Sequence, residues 1–188
     1  MSPRSWGVTQ ELIGADLAAM CEGPPVGPGT ILRRLAVHAR WRAVLAYRLA
    51  GFLIDGRVGK PAALWLTDRT LAGSGAELQP SSRIGGGLVL KHTTGLVIGG
   101  DVRAGQRLTL HQGVTLGDRH PYGGQPRIGD DVTVGVGASI LGPISIGDRS
   151  TVAAGAVCLD DVPADCVVAG VPARVVRRAT TAPDQDRR

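Results

Sequence analysis

The chain has 188 residues, 43% of them hydrophobic, and a formal net charge of +5. That length gives one ordinary domain with a core of its own. Its arginines are dispersed, with no basic run interleaved with aromatics, which argues against nucleic-acid binding, and no apolar run approaches the ~20 residues of a membrane span.

Aromatics reach only 3% while glycines number 28. Bulk in the core must therefore come from Val, Ile, Leu and Ala, and the core must be thin and closed by many turns. Cys21, Cys158 and Cys166 form neither an even disulfide framework nor a CxxC pair and read as buried thiols. Reduced thiols and an N-terminus without a signal-peptide pattern point to the cytoplasm.

In chain order, "TQELIGADLAAMCE" is an apolar-periodic segment that predicts a helix, interrupted by "GPPVGPG" at 23–29. Residues 30–54 carry Leu32, Leu35, Ala36, Ala39, Ala43, Tyr47, Leu49 and Leu53 at helical spacing, with Thr30 as N-cap. Arg48 breaks the apolar run "AVLAYRLAGFLI". A further helix is expected over about 60–72, and Trp41, Tyr47 and Trp65 are expected to pack helix on helix. Residues 1–75 thus read as a helical N-terminal region.

The rhythm then changes. Leu78, Ile84, Leu90, Leu96, Val102, Leu108 and Val114 recur every six residues, and Ile128, Val134, Ile140, Ile146, Val152 and Cys158 resume the period. Neither a helix (3.6) nor an ordinary strand (2) predicts six. A triangular coil does, with one short strand and one turn per hexapeptide and each aliphatic pointing inward. Val114 and Ile128 are not a multiple of six apart, so 117–127, "GDRHPYGGQPR", must bulge out as a loop. Such loops on rigid scaffolds often carry function, though a tolerated insertion would look the same. His92, alone in "LVLKHTTGLVI", reads as structural more readily than as catalytic on these grounds.

At "GAELQP", "KHTTG", "HQGVTLG" and "AGVPARVV" the chain resembles the serine acetyltransferase family of hexapeptide-repeat acyltransferases, over roughly residues 74–178. The resemblance implies a mainly β fold with a helical N-terminus: a left-handed parallel β-helix over 76–178 and a flexible tail at 179–188. It implies acetyl-CoA as co-substrate, a homotrimer that can pair into a dimer of trimers, and active sites between subunits. It places the general base on His92 and its carboxylate partner on Glu77. A histidine with a pKa near ~6.5 suits proton removal from an alcohol, and a carboxylate on its second ring nitrogen fixes the tautomer. Glu77 precedes inward Leu78 and stands 15 residues before His92, close to one coil, so contact is expected.

The chain also departs from the family. Lys91 stands where the family has an Asp that helps hold the amino group of serine, and a lysine repels an ammonium. In the helical region the stretch 15–25 offers Glu22 but no clear counterpart to the family's substrate-binding Asp, and Gln79 stands where His is frequent. Arg119-His120-Pro121 comes early in the loop, leaving Gln125-Pro126-Arg127 in the usual register. His120 is therefore a candidate site residue with Gln125 as its alternative, and Arg119 or Arg127 is a candidate for a substrate carboxylate. His111 is expected to be structural. Gly135, Ala138, Gly155 and Ala156 would let a pantetheine arm approach, with Arg174, Arg177 and Arg178 near its phosphates.

The expected activity is acetyl transfer from acetyl-CoA to a small-molecule hydroxyl, serine first, for cysteine synthesis. The alternative acceptor is a sugar, a polysaccharide precursor or a secondary-metabolite alcohol. A trimeric zinc lyase using His92, His111 and His120 would need three converging ligands, and no metal is expected. A non-catalytic scaffold would lack both coenzyme binding and a Glu77–His92 contact. The chain ends in Arg188, so docking through a terminal isoleucine to the next enzyme is not expected.

Overall fold

The computed structural model describes residues 4–21, 27–56 and 59–178. Four helices come first: α1 (Trp6–Met20), α2 (Pro28–Val37), α3 (Ala39–Ile54) and α4 (Lys60–Ser74). Ser5 caps α1, its hydroxyl accepting from the Val8 N–H. The segment expected as one helix over 30–54 is two. Extended backbone at His38 (φ −103°, ψ 118°) separates them, and α2 starts with Gly27 and Pro28 rather than with a Thr30 cap. Arg42 Nη1 reaches back to the carbonyls of Leu35 and Ala36, satisfying acceptors that the break leaves open. Trp41 and Tyr47 are buried as expected, but Trp65 is 64% exposed on α4. Glu22 and the tail 179–188 lie outside the described residues.

Gly75, in the left-handed conformation, ends α4 and leads directly into the first strand. Fifteen strands follow: β1 (Ala76–Leu78), β2 (Arg83–Ile84), β3 (Val89–Leu90), β4 (Leu96–Ile98), β5 (Arg103–Ala104), β6 (Thr109–Leu110), β7 (Thr115–Gly117), β8 (Arg127–Ile128), β9 (Thr133–Val134), β10 (Ser139–Leu141), β11 (Ser145–Ile146), β12 (Thr151–Val152), β13 (Val157–Cys158), β14 (Cys166–Ala169) and β15 (Arg174–Arg178). They form three parallel sheets, one per face of a triangular solenoid: β1-β4-β7-β10-β13, β2-β5-β8-β11, and β3-β6-β9-β12-β14. We refer to these as the first, second and third faces. β15 turns back antiparallel on β14 and closes the far end.

All thirteen hexapeptide positions are buried, yet the phase of the repeat shifts within the chain. Leu78 stacks on Ile98, not on Leu96, a step of 20 residues, and Ile98 stacks on Leu116 after 18. Two extra residues lie in the turn Lys91–Gly95. Leu96, Val102, Leu108 and Val114 therefore occupy the position two residues ahead of the stacked column. They remain buried because each unit turns two residues inward, as Ala76 and Leu78 do around half-buried Glu77. With the phase corrected, Leu116 and Ile128 are 12 apart, so the loop 118–126 inserts one hexapeptide's length between β7 and β8.

The helices dock on the first coil through polar groups as well as apolar ones. Asp16 of α1 and Arg48 of α3 form a bidentate pair, at 2.7 and 3.0 Å, with both side chains sealed from solvent. Asp16 Oδ1 also accepts from the N–H groups of Gly87 and Leu88, and Arg48 donates to the carbonyls of Ile84 and Gly85. Tyr47 bonds Ser82. Arg48 looked in the sequence like a mere interruption of an apolar run.

Candidate active site

His92 sits on the turn joining the third face to the first, in the stretch widened by two residues. The turn is held from the helical side. Arg40 Nη1 of α3 donates to the Lys91 carbonyl at 3.4 Å, and the Gly95 N–H donates to the Gly75 carbonyl at the end of α4. Thr93 turns inward, while His92 is exposed and Lys91 half-buried. Val136 and Ala154, at the equivalent position of the unwidened turns further along the vertex, are exposed as well.

Glu77 lies half-buried in β1 with its backbone paired to Val97. Its carboxylate accepts from Gln79 Nε2 at 2.7 Å, and no hydrogen bond joins it to His92 within the chain. His111 follows Leu110, the strand partner of Leu90, so it stands one coil beyond Lys91 on the same vertex. It is half-buried there, and its N–H donates to the Val134 carbonyl. Its placement is that of a framework residue.

The loop 118–126 leaves from a different vertex, between the first and second faces. Its base is pinned: Gln125 Oε1 accepts from the Asp101 N–H at 2.8 Å, Gln125 Nε2 donates to Asp118 at 3.2 Å, and the Gly123 N–H donates to the His120 carbonyl. Gln125 is thus engaged within the chain instead of reaching outward. Arg119, His120 and Tyr122 are exposed. Within one chain none of them shares a vertex with His92, so the two groups can meet only between copies. His120 is likewise remote from the vertex of His92 and His111, and the described residues hold no group of three His, Cys, Asp or Glu side chains that could hold a metal ion.

Beside the loop base, Arg83, Arg103 and Arg127 stand in register across β2, β5 and β8. Arg83 is paired with Asp55 at 3.0 Å. Arg103 donates to the turn carbonyls of Gly100 and Val102 and stands 3.8 Å from Asp101. Arg127 is exposed, and no described side chain pairs with it. A cleft of about 290 Å³ opens here, lined by Asp101, Arg103, Gly124, Gln125, Arg127 and Pro143.

Of the cofactor candidates, Gly135 and Gly155 lie on the His92 vertex, further along the solenoid. Ala138 and Ala156 point into the core with no exposed surface, so their side chains are packing groups. Gly135 has a packing reason of its own, since a Cβ there would come 2.6 Å from the Ala154 nitrogen. Arg174 and Arg177 are exposed on β15, with Arg174 3.2 Å from Asp160. The residue that sequence reasoning missed is Asp16, as the buried partner of Arg48. The arginine that interrupts the apolar run 43–54 of α3 was the available signal, because a buried charge demands a partner.

Residues 125–160 match the family model of the bacterial transferase hexapeptide (six repeats). A serine acetyltransferase of Synechococcus elongatus is 35% identical over 170 residues, covering 89% of this chain and 68% of the relative. The crystal structure of Neisseria gonorrhoeae serine acetyltransferase in complex with serine has a TM-score of 0.80 at 36% identity, covering 92% of this chain and 71% of that one. The Brucella abortus serine acetyltransferase in complex with coenzyme A has a TM-score of 0.80 at 32% identity, covering 91% and 68%. Solenoid, helical prelude and relatives agree, and the chain belongs to the serine acetyltransferase family.

Proposed function

We propose that the protein transfers the acetyl group of acetyl-CoA to the hydroxyl of serine, with His92 as general base. The observation that carries this reading is the exposed His92 on a turn widened by two residues and held by Arg40 and Gly75. Serine and coenzyme A are the molecules bound in the Neisseria and Brucella relatives.

An alcohol is a weak nucleophile at neutral pH. The His92 imidazole takes the hydroxyl proton as the oxygen attacks the thioester carbonyl. The tetrahedral intermediate collapses, the carbon–sulfur bond breaks, and the imidazolium returns its proton to the departing thiolate. The products are O-acetylserine, a precursor for cysteine synthesis, and free coenzyme A. Glu77, one of whose carboxylate oxygens accepts from Gln79 Nε2, is the carboxylate assigned to orient the imidazole, which requires the His92 side chain to turn toward it on binding substrate. Backbone N–H groups or a loop side chain stabilise the oxyanion.

The working unit is a homotrimer, because Arg119 and His120 reach a His92 turn only on a neighbouring copy; trimers can pair further. The pantetheine arm runs along the vertex from His92 past Gly135 and Gly155 toward Arg174 and Arg177. Three free cysteines fit a reducing cytoplasm, and no described helix is long and apolar enough to cross a membrane. Lys91 beside His92 favours a second reading, in which the acceptor is an alcohol bearing an anionic group or a sugar. Thiol release from acetyl-CoA is measured with serine, homoserine, hydroxy acids and amino sugars. Serine-dependent release, lowered about 10²- to 10⁴-fold in His92→Ala, supports the assignment; release only with another acceptor overturns serine.

A further inference from the structure

We propose that the cleft between α3 and α4 binds a small anion with two charged groups, a phosphate ester or a dicarboxylate, and that its occupancy acts on the His92 turn. The cleft stands apart from the transfer chemistry. Only its effect on turnover rests on the reading of His92 given above.

The sequence supplies the charge. Residues 23–54 hold five arginines and no acidic residue, and among the described residues only Arg48 of these has a carboxylate partner, Asp16. A cleft of about 340 Å³ opens between the two helices, its walls including Ala39, Arg42 and Ala46 of α3 and Arg69, Thr70 and Gly73 of α4. The Arg42 guanidinium is fixed in place, because Nη1 donates to the carbonyls of Leu35 and Ala36. A guanidinium carries five N–H donors, so others remain for a ligand. Arg69 is exposed, and no described side chain pairs with it. Asp68, one residue earlier and so about 100° round the helix, takes no part in the lining. One cation from each wall repels the other unless an anion lies between them. A carboxylate or phosphate group matches the planar fork of each arginine.

Carbonyls in the last turn of α4 would oppose an anion, but two of them are already taken. Leu71 O accepts from the Gly75 N–H and Thr70 O from the Ser74 hydroxyl. Small side chains keep the cleft open. Gly73 inside α4 lowers helix stability relative to alanine, and no packing contact requires it, since a Cβ there would meet nothing within 4 Å.

Both walls continue into the holds on the His92 turn. Arg40 follows Ala39 and donates to the Lys91 carbonyl; Gly75 follows Ser74, which also lines the cleft, and accepts from the Gly95 N–H. A ligand that draws the two helices together shifts both holds at once. By linkage, the factor by which the anion changes the affinity for acetyl-CoA is the factor by which acetyl-CoA changes the affinity for the anion.

Pyrophosphate and succinate serve as probes of the two chemistries. Each is titrated by calorimetry at constant ionic strength, with coenzyme A in excess to cover the coenzyme's own phosphate contacts. Saturable binding of one or both is expected, one site per chain. Arg69→Gln should weaken it about tenfold or more, as for loss of a charge-assisted hydrogen bond. Gly73→Leu fills the cleft with both charges intact and should weaken it too, while melting no lower than wild type. Thiol release from acetyl-CoA by wild type should change about fivefold or more when the anion is added, and in both variants it should not respond. Absence of saturable binding for both probes, or binding that survives both variants, overturns the site. Binding lost in the variants, with wild-type thiol release indifferent to the anion, overturns the action on the His92 turn. Wild type that binds the anion and releases no thiol with any acceptor overturns the proposed transfer activity and leaves the cleft standing.

Discussion

Asp16 Oδ2 accepts from Arg48 Nε at 2.7 Å across two helices that the sequence separates by 32 residues. Neither side chain touches solvent, and each has further partners on the Ile84–Leu88 stretch of the first coil. The pair therefore fastens both helices to the end of the solenoid. An open end is the weak point of such a stack, since the first coil has a neighbour on one side only.

Removing one member of the pair strands the other. Asp16→Ala should lower unfolding free energy by about 3–5 kcal/mol, the range for breaking a buried pair. The double variant Asp16→Leu/Arg48→Met should recover a large part of that loss, because no uncompensated charge remains. Urea unfolding of the three proteins measures both quantities. A loss in the double variant as large as in the single would show that the backbone contacts, not the charge balance, dominate.

Period six in aliphatics exposed the solenoid to reading because every hexapeptide faces the same core. The phase slip did not show. Both Leu96 and Ile98 are buried aliphatics two apart, so a two-residue insertion leaves an unbroken run of apolar matches. The same degeneracy hid the fact that the insertion falls on the His92 turn. The loop was visible since polar Gly/Pro residues interrupt the pattern. Its relation to His92 was not, because vertices separate in space what the chain brings near in sequence. Trp65 shows another limit: helical spacing marks an apolar face but says nothing of what covers it.

Glycines separate into two kinds by what a side chain would meet. Gly113 has φ +70° on the His92 vertex, and a Cβ there would come 3.4 Å from the Gly137 Cα of the next coil. Gly113→Ala should destabilise by about 1–2 kcal/mol through the left-handed backbone alone. Gly14 lies inside α1 with open space around it. Gly14→Ala should stabilise by about 0.5–1 kcal/mol by removing chain entropy from the unfolded state. Thermal melts of the two variants should move in opposite directions.

The vertex between the second and third faces carries Arg107, Asp131, Arg149 and Asp165, all with φ between 56° and 58°. Arg107 pairs with Asp131 and Arg149 with Asp165, each bidentate. Hydrogen bonds from these guanidinium groups hold both carboxyls below the usual aspartate range. A depressed folded-state pKa gives stability that is complete above the unfolded value, near ~3.9, and is lost as pH falls through the folded value. Stability should therefore be flat on this account from neutral pH to about 4 and decline below it. Asp131→Asn with Asp165→Asn should flatten that acid slope while changing neutral stability little, since exposed pairs are screened. Unfolding curves at a series of pH values, repeated at high salt, test both parts.

Cys158 closes the stacked column of Leu78, Ile98, Leu116 and Ile140 on the first face. Burial pushes its thiol up to about 11. The thiolate is the reactive form, so in native protein at pH 8 a thiol reagent should label half-buried Cys21 and spare Cys158 and Cys166, which are both buried. All three should react once the chain is unfolded. A raised folded-state pKa also means that the stability it reports is intact below the ordinary thiol range near ~8.5 and is lost as pH climbs toward the folded value. Cys158→Val keeps the column apolar and should remove that alkaline loss. Rapid labelling of Cys158 in the native state at pH 8 would mean that the far end of the solenoid, where β14 and β15 close it, opens without global unfolding.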